Sequence, residues 1–359
     1  MCARVAIVYN DPTPSRYDET HEQKAVVGVL EAVEAVRASI VELCHETLLV
    51  PLMPPFETAR QKLECLEVDL VFNLFEGFCG EPETEPLVPE ALTELGIPFT
   101  GCEAAVLRLG LDKAKVKLLL KNAGIPTADF QLLDPEKLPA FRLDYPCIVK
   151  PRADDASNGI TADSVVYDFP SLARQVKVIA DSYGGIALVE RFIGGAEFNA
   201  TVMGNNEFIV LPVSEIVYSL EPGLPRILNF EAKWEEDSVY FKGTRVVCPA
   251  EIEPQEREHI AGTALAAYKL LGCSGYARVD MRMDEAGKLN VMEVNPNPDI
   301  SPGTGAARQA LAAGMNYTQF VDRIIKLALE KKKYDRQHPS HGRRRKTGVA
   351  AHTPQYARI

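Results

Sequence analysis

The chain has 359 residues, 46% hydrophobic and 25% charged, with a formal net charge of −11. This is the composition of a soluble folded chain long enough for two or three domains, and its acidity argues against a general nucleic-acid binder. Its eight cysteines are scattered without a Cys-x-x-Cys spacing, which argues against a disulfide framework or zinc site and fits a reducing cytoplasm.

Val5–Tyr9 has the continuous apolar pattern of a buried strand. This opening run is too short for a signal-peptide core, and no later run approaches membrane-spanning length. Helical spacing follows over His21–Ile40 and Glu57–Leu66, then a buried strand over Asp69–Leu74 and a helix over Pro86–Leu95. Gly96-Ile97-Pro98 stops that helix. Strand–helix alternation predicts a parallel sheet whose ligands sit beyond its carboxyl ends. Glu76 and Glu81, in the loop after Asp69–Leu74, are therefore candidate site residues, although a solvated acidic loop fits them equally.

A domain boundary is expected near 105–110, before a helix over Leu111–Ala123. Tyr145–Lys150 is a strand ending in a lysine, and a polar loop leads from Pro151 to a strand over Ile160–Tyr167. Backbone N–H groups and Ser157 in that loop suit phosphates, with Lys150 adding charge; a plain turn fits the same residues. No Walker-type loop occurs. A helix over Ser171–Tyr183 precedes a strand over Ile186–Ile193, which reads as an adenine-edge strand carrying Glu190 or as an ordinary core strand. Glu197–Met203 and Phe208–Val217 read as an antiparallel pair, Glu221–Trp234 as a loop, and Glu253–Leu271 as a helix.

Two strands then meet at a polar turn over Asp284–Lys288. Centring the turn on Ala286–Gly287 sets Asp280 opposite Glu293 and Arg278 opposite Asn295. Alternation sends these four to one face and Val279, Met281, Met292 and Val294 to the other. Directly opposed side chains have Cβ atoms about 4.5–5.5 Å apart, where like charges repel, so the facing carboxylates ask for a cation. An all-oxygen set suits Mg²⁺. A solvated hairpin with both carboxylates paired to Arg278 and Arg282 is the alternative. Asn295–Gly305 is irregular, and Ala306–Ala313 and Thr318–Lys331 are helical, the first with an N-terminus suited to an anion. Beyond Lys331 the apolar periodicity ends in a basic tail, expected to be disordered.

Seven motifs in this order carry a resemblance: Gly-Ile-Pro-Phe-Thr-Gly (96–101), Leu-Asp-Lys (111–113), Ile-Val-Lys-Pro (148–151), Val-Glu-Arg-Phe-Ile-Gly-Gly-Ala-Glu (189–197), Phe-Glu-Ala-Lys (230–233), Ala-Arg-Val-Asp (277–280) and Met-Glu-Val-Asn-Pro (292–296). The sequence resembles the ATP-grasp superfamily in its D-alanine–D-alanine ligase-like branch, best from about Val71 to Leu329. The resemblance implies an α/β fold, α+β in the ATP-grasp part, with three domains. These are an N-terminal parallel-sheet domain over 1–108, a central subdomain over 109–195 and a catalytic subdomain over 196–332, followed by the tail at 333–359. It implies Lys113, Lys150 and Ser157 at the ATP phosphates, and Glu190, Arg191, Phe192 and Ile193 at adenine. Glu197 would meet the ribose, with Phe230 and Lys233 near the nucleotide. Asp280, Glu293 and Asn295 would hold two Mg²⁺ (or Mn²⁺), and Arg278, Ser157 and the Asp299 N–H would act catalytically.

By the same resemblance, a carboxylate attacks the γ-phosphorus of ATP and an amine attacks the resulting acyl phosphate. The chemistry asks for positioning and charge neutralisation rather than a covalent nucleophile. The departures fall on substrate positions. Ala156 replaces the first phosphate-loop serine, Trp234 a loop tyrosine, Glu76 a histidine and Asp299 a glycine. Asn10–Ser15 replaces a Gly-Gly-x-Ser-x-Glu stretch, leaving Glu19 and Glu22 as substitutes, while Thr304 and Gly305 fall near the acceptor carboxylate. The expected activity is amide formation between amino acids or small peptides. Genuine D-alanine–D-alanine ligation and a non-catalytic ATP-binding regulator are the alternatives. The implied partners are small carboxylates and amines, with no nucleic acid or membrane, and the family suggests a homodimer.

Overall fold

The computed structural model describes residues 2–11, 28–152, 159–183 and 185–337, with backbone alone for 332–337. Three sheets follow one another along the chain. The first is parallel, in the order β2–β1–β3, from β1 (Arg4–Asn10), β2 (Glu46–Leu52) and β3 (Leu70–Leu74). Val5–Val8 and all of β3 are buried, as helices on both faces require. Val5 and Ile7 join the core of α1 (Val29–Glu42), whereas Ala6 and Val8 face α2 (Phe56–Glu64) and α3 (Leu87–Leu95). The start of the helix expected from His21 lies outside the described residues. Strand β2 escapes sequence reading because Pro51 interrupts its apolar run; the proline is tolerated because β2 is an edge strand.

The helix expected from Leu111 is the junction of two, α4 (Ala104–Leu111) and α5 (Lys113–Asn122). Asp112 breaks the chain between them and caps α5, its carboxylate accepting from Lys115 N at 3.1 Å. Lys113 thereby starts a helix. Gly110 lies so close to Pro296 that an added Cβ would come within 3.0 Å, which brings this junction against the far hairpin.

The second sheet is antiparallel, β4–β7–β5–β6, from β4 (Phe130–Leu133), β5 (Cys147–Pro151), β6 (Val165–Val166) and β7 (Ala187–Arg191). Helix α6 (Phe169–Ser182) covers one face. The strand expected over Ile160–Tyr167 shrinks to β6 because Ala162–Ser164 forms a capped 3-10 turn.

The third sheet has the order β11–β10–β8–β12–β13, with β9 paired to β8. Its strands are β8 (Glu197–Gly204), β9 (Phe208–Val210), β10 (Ser214–Tyr218), β11 (Thr244–Val247), β12 (Tyr276–Met283) and β13 (Leu289–Asn295). The strand expected over Phe208–Val217 is thus two strands. Between β10 and β11 lie α7 (Phe230–Trp234) and α8 (Val239–Gly243), inside and beyond the expected loop. Asn229 caps α7, accepting from Ala232 N at 2.9 Å. Helix α9 (Pro254–Leu271) packs Ile260, Ala264 and Tyr268 against the sheet and ends at left-handed Gly272.

After the hairpin come α10 (Gly305–Ala312) and α11 (Tyr317–Gln337). Helix α11 returns to the first sheet, burying Phe320, Val321 and Ile324 in the core of α1. It continues past Lys331, where apolar periodicity stops; the rest of the expected tail lies outside the described residues. Among the described residues no helix is long and apolar enough to cross a membrane.

Candidate active site

The hairpin pairs Asp280 with Glu293 and Arg278 with Asn295, as its alternation predicts. Beyond Asp280 the register slips, so Met281 pairs with Val291 and not with Met292. Met292 is left in the bulge and lines the cleft, while buried Val291 takes the core position expected of it.

This polar face forms one wall of a cleft of about 760 Å³. Lys150 and Glu190 enter from the second sheet, and Asn10 and Glu76 from the carboxyl end of the first. Lys233 and Trp234 come from α7, and Thr304 and Gly305 from the start of α10. Phe192, Ile193, Glu197 and Asp299 line the same space. Glu81 and Arg191 are exposed and do not line it, and neither does Phe230; Glu85 faces the cleft from the acidic loop instead. Ser157, Ala156, Glu19 and Glu22 lie outside the described residues.

Asp280, Glu293 and Glu190 each have a cation beside them. Arg278 grips Asp280 with both nitrogens, Nε to Oδ1 at 2.7 Å and Nη2 to Oδ2 at 2.8 Å. Burial alone would lower the guanidinium pKa, but Asp280 outweighs it and holds it above the ordinary value. Lys113 Nζ lies 2.9 Å from Glu293 Oε1. Burial works to raise the Glu293 carboxyl; Lys113, then Lys150 and Arg278, overcome it and bring its pKa down to about 2. Glu190, 1% exposed, is held between Lys117 and Lys150, each at 3.1 Å. Burial raises its pKa, and those two lysines more than reverse the effect. Lys233 is lowered by desolvation and then by Arg278.

A family model described as D-ala D-ala ligase C-terminus matches residues 119–326. Vancomycin B-type resistance protein VanB of Enterococcus faecalis is 34% identical over 275 residues, 76% of each chain. D-alanine–D-alanine ligase B of Chromobacterium violaceum is 30% identical over 276 residues, covering 75% of this chain and 84% of that one.

The chain belongs to the D-alanine–D-alanine ligase family.

It is an ATP-grasp ligase of the ADP-forming kind. The fold agrees: the crystal structure of D-alanine–D-alanine ligase from Bacillus anthracis complexed with ATP superposes with a TM-score of 0.71 at 23% identity, over 93% of this chain and 99% of that one.

The donor set of this ligase fits magnesium and a polyphosphate. Among the described residues no three His, Cys, Asp or Glu side chains cluster as a metal site. The hairpin supplies two facing carboxylates and the Asn295 amide, hard oxygen donors that leave positions for phosphate oxygens and water. Lys113, Lys150, Lys233 and Arg278 surround them with positive charge.

Several residues of the site carry no sequence signal. Asn199 faces the cleft opposite Asp280 on β8. Buried Gln309 donates to Asn199 Oδ1 at 2.7 Å and Ser214 Oγ at 3.0 Å, and accepts from Thr201 N at 2.8 Å, pinning α10 to β8. Asn297 donates to Glu85 Oε1 at 2.6 Å, tying the hairpin's exit to the acidic loop after β3. These partners are far apart in sequence, so only the fold reveals them. Asp299 folds its carboxylate back onto Ser301 N and Oγ, at 2.8 and 2.7 Å. The Arg282 pairing expected for a solvated hairpin does not occur: Arg282 turns to Glu197 at 3.0 Å.

Proposed function

We propose that the chain joins a carboxylate substrate to an amine substrate, both amino acids or small peptides, with ATP converted to ADP and phosphate. The convergence of Lys113, Lys150, Lys233 and Arg278 on the Asp280/Glu293 pair in one cleft carries this reading. The substrate carboxylate attacks the γ-phosphorus, ADP leaves, and an acyl phosphate forms. The amine then attacks the acyl carbon, loses a proton and expels phosphate. Lys113 and Lys150 bind phosphate charge, while Glu190 and Phe192 sit on the nucleotide side. Arg278 stabilises the oxyanion of the tetrahedral state. Asp280, Glu293 and Asn295 would hold Mg²⁺, which supplies charge neutralisation at the transferred phosphoryl group. The helix start at Thr304–Gly305 suits the acceptor's carboxylate.

Retention of all three metal ligands supports turnover over a purely regulatory role. Trp234, Glu76, Asp299 and Ala156 depart from the family pattern where the amino acids sit, which supports a substrate pair other than two D-alanines. The relatives' own names favour D-alanine–D-alanine ligation as the second reading. A cytoplasmic location and a homodimer belong to the same proposal.

Incubation with Mg·ATP and a panel of amino acids in both configurations, read by phosphate release and amide product, tests it. Selective formation of the D-alanine dipeptide would favour the second reading.

A further inference from the structure

Arg282 is the third charged residue that alternation places on the cleft face of β12, after Arg278 and Asp280. Its side chain is only 7% exposed. One nitrogen, Nη2, lies 3.0 Å from Glu197 Oε2 and also donates to the Arg226 carbonyl. The Tyr218 hydroxyl donates to the same Glu197 oxygen. The guanidinium carbon is 5.4 Å from the centroid of the Phe192 ring and 5.9 Å from that of Tyr218. Among the described residues the buried Nε has no hydrogen-bond partner.

A carboxylate held by a buried arginine and a tyrosine hydroxyl is fixed in one orientation, ready to accept from a ligand hydroxyl in the cleft. A planar cation among aromatic rings also suits a further flat π-system in the same space. Phe192, Ile193, Glu197 and Arg282 line the same cleft as Lys113, Lys233 and Arg278.

We propose that Arg282 is a positioning residue of the nucleoside site: it fixes the Glu197 carboxylate for the ribose hydroxyls, and its guanidinium, set between Phe192 and Tyr218, shapes the space that takes the purine. This rests on the ATP-site reading given above. A purely structural arginine would hold Glu197 and the Arg226 carbonyl without affecting nucleoside binding selectively.

The test compares Mg·ATP with inorganic triphosphate, which has neither base nor ribose, in the full-length chain and its R282M and R282K variants. Calorimetry gives the dissociation constants, and steady-state rates separate KM for ATP from kcat. R282M should weaken ATP binding about tenfold, the equivalent of ~1.4 kcal/mol. Triphosphate binding and kcat should stay within about twofold on the same scale. R282K keeps the charge but not the plane, and should fall between. Unchanged ATP affinity in R282M overturns the proposal, and so does an equal weakening of ATP and triphosphate. If R282M does not fold, R282K carries the same comparison. A wild-type chain that binds no Mg·ATP would instead sink the ATP-site reading and this inference with it.

Discussion

Lys113 Nζ sits 2.9 Å from Glu293 Oε1, joining the first residue of α5 to the end of the hairpin across 180 positions of sequence. The contact depends on the Asp112 break that starts α5 and on Gly110 lying against Pro296. It sets a cation against the carboxylate that faces Asp280.

Replacing that carboxylate, Glu293→Gln, should lower turnover by about two to four orders of magnitude while leaving the circular dichroism spectrum intact. The wild-type pKa of about 2 lies below the ordinary glutamate value. The ionised group therefore favours the folded state above that ordinary value, and the contribution fades as pH falls towards 2. Melting temperature followed from pH 7 to pH 3 without metal should accordingly fall less steeply in E293Q than in the wild type. Near-normal turnover in E293Q would remove Glu293 from the metal site.

The hairpin faces are readable because a strand has period two, and the identities of Arg278, Asp280, Glu293 and Asn295 then fix the polar side. The slip at Met292 is not readable: Met and Val both suit a buried strand, and only packing decides which enters the core. Parallel strands β1 and β3 announce themselves as apolar runs. Edge strand β2 does not, because its outer side is exposed and carries a proline. The cleft lysines Lys113, Lys150 and Lys233 follow from short motifs, whereas Lys117–Glu190, Arg282–Glu197 and Gln309–Asn199 join residues that no local pattern connects.

Lys117→Met should test the buried pair. Lys117 and Glu190 are each 1% exposed, and the ammonium also donates to Thr127 Oγ1 at 3.0 Å. Removing one partner of such a pair leaves a buried charge and costs roughly 3–5 kcal/mol. Urea unfolding should show that loss in K117M. The double variant K117M/E190L should recover part of it, and additive losses would contradict the pairing.

Gln309→Leu removes the side chain that pins α10 to β8. Thr201 N would lose its acceptor, at a cost of about 1–3 kcal/mol. Because α10 opens at Thr304 and Gly305, KM for the amine substrate should rise more than KM for ATP. An equal rise in both would place the effect elsewhere.

Trp234→Tyr combined with Ala156→Ser restores the two hydroxyls that the family pattern expects. The double variant should raise D-alanine dipeptide formation relative to the chain's preferred product, measured by mass spectrometry of competing amino acids. An unchanged product ratio would show that these positions do not select the substrate.

The central claim is transfer of the γ-phosphoryl group to a substrate carboxylate. It is tested by supplying that carboxylate doubly labelled with oxygen-18 and following phosphate by phosphorus-31 NMR during amide formation. The account predicts one labelled oxygen in each phosphate released, since the acyl carbon gives up the oxygen it shared with phosphorus. Amide formation with unlabelled phosphate, or with the label in AMP, would contradict it.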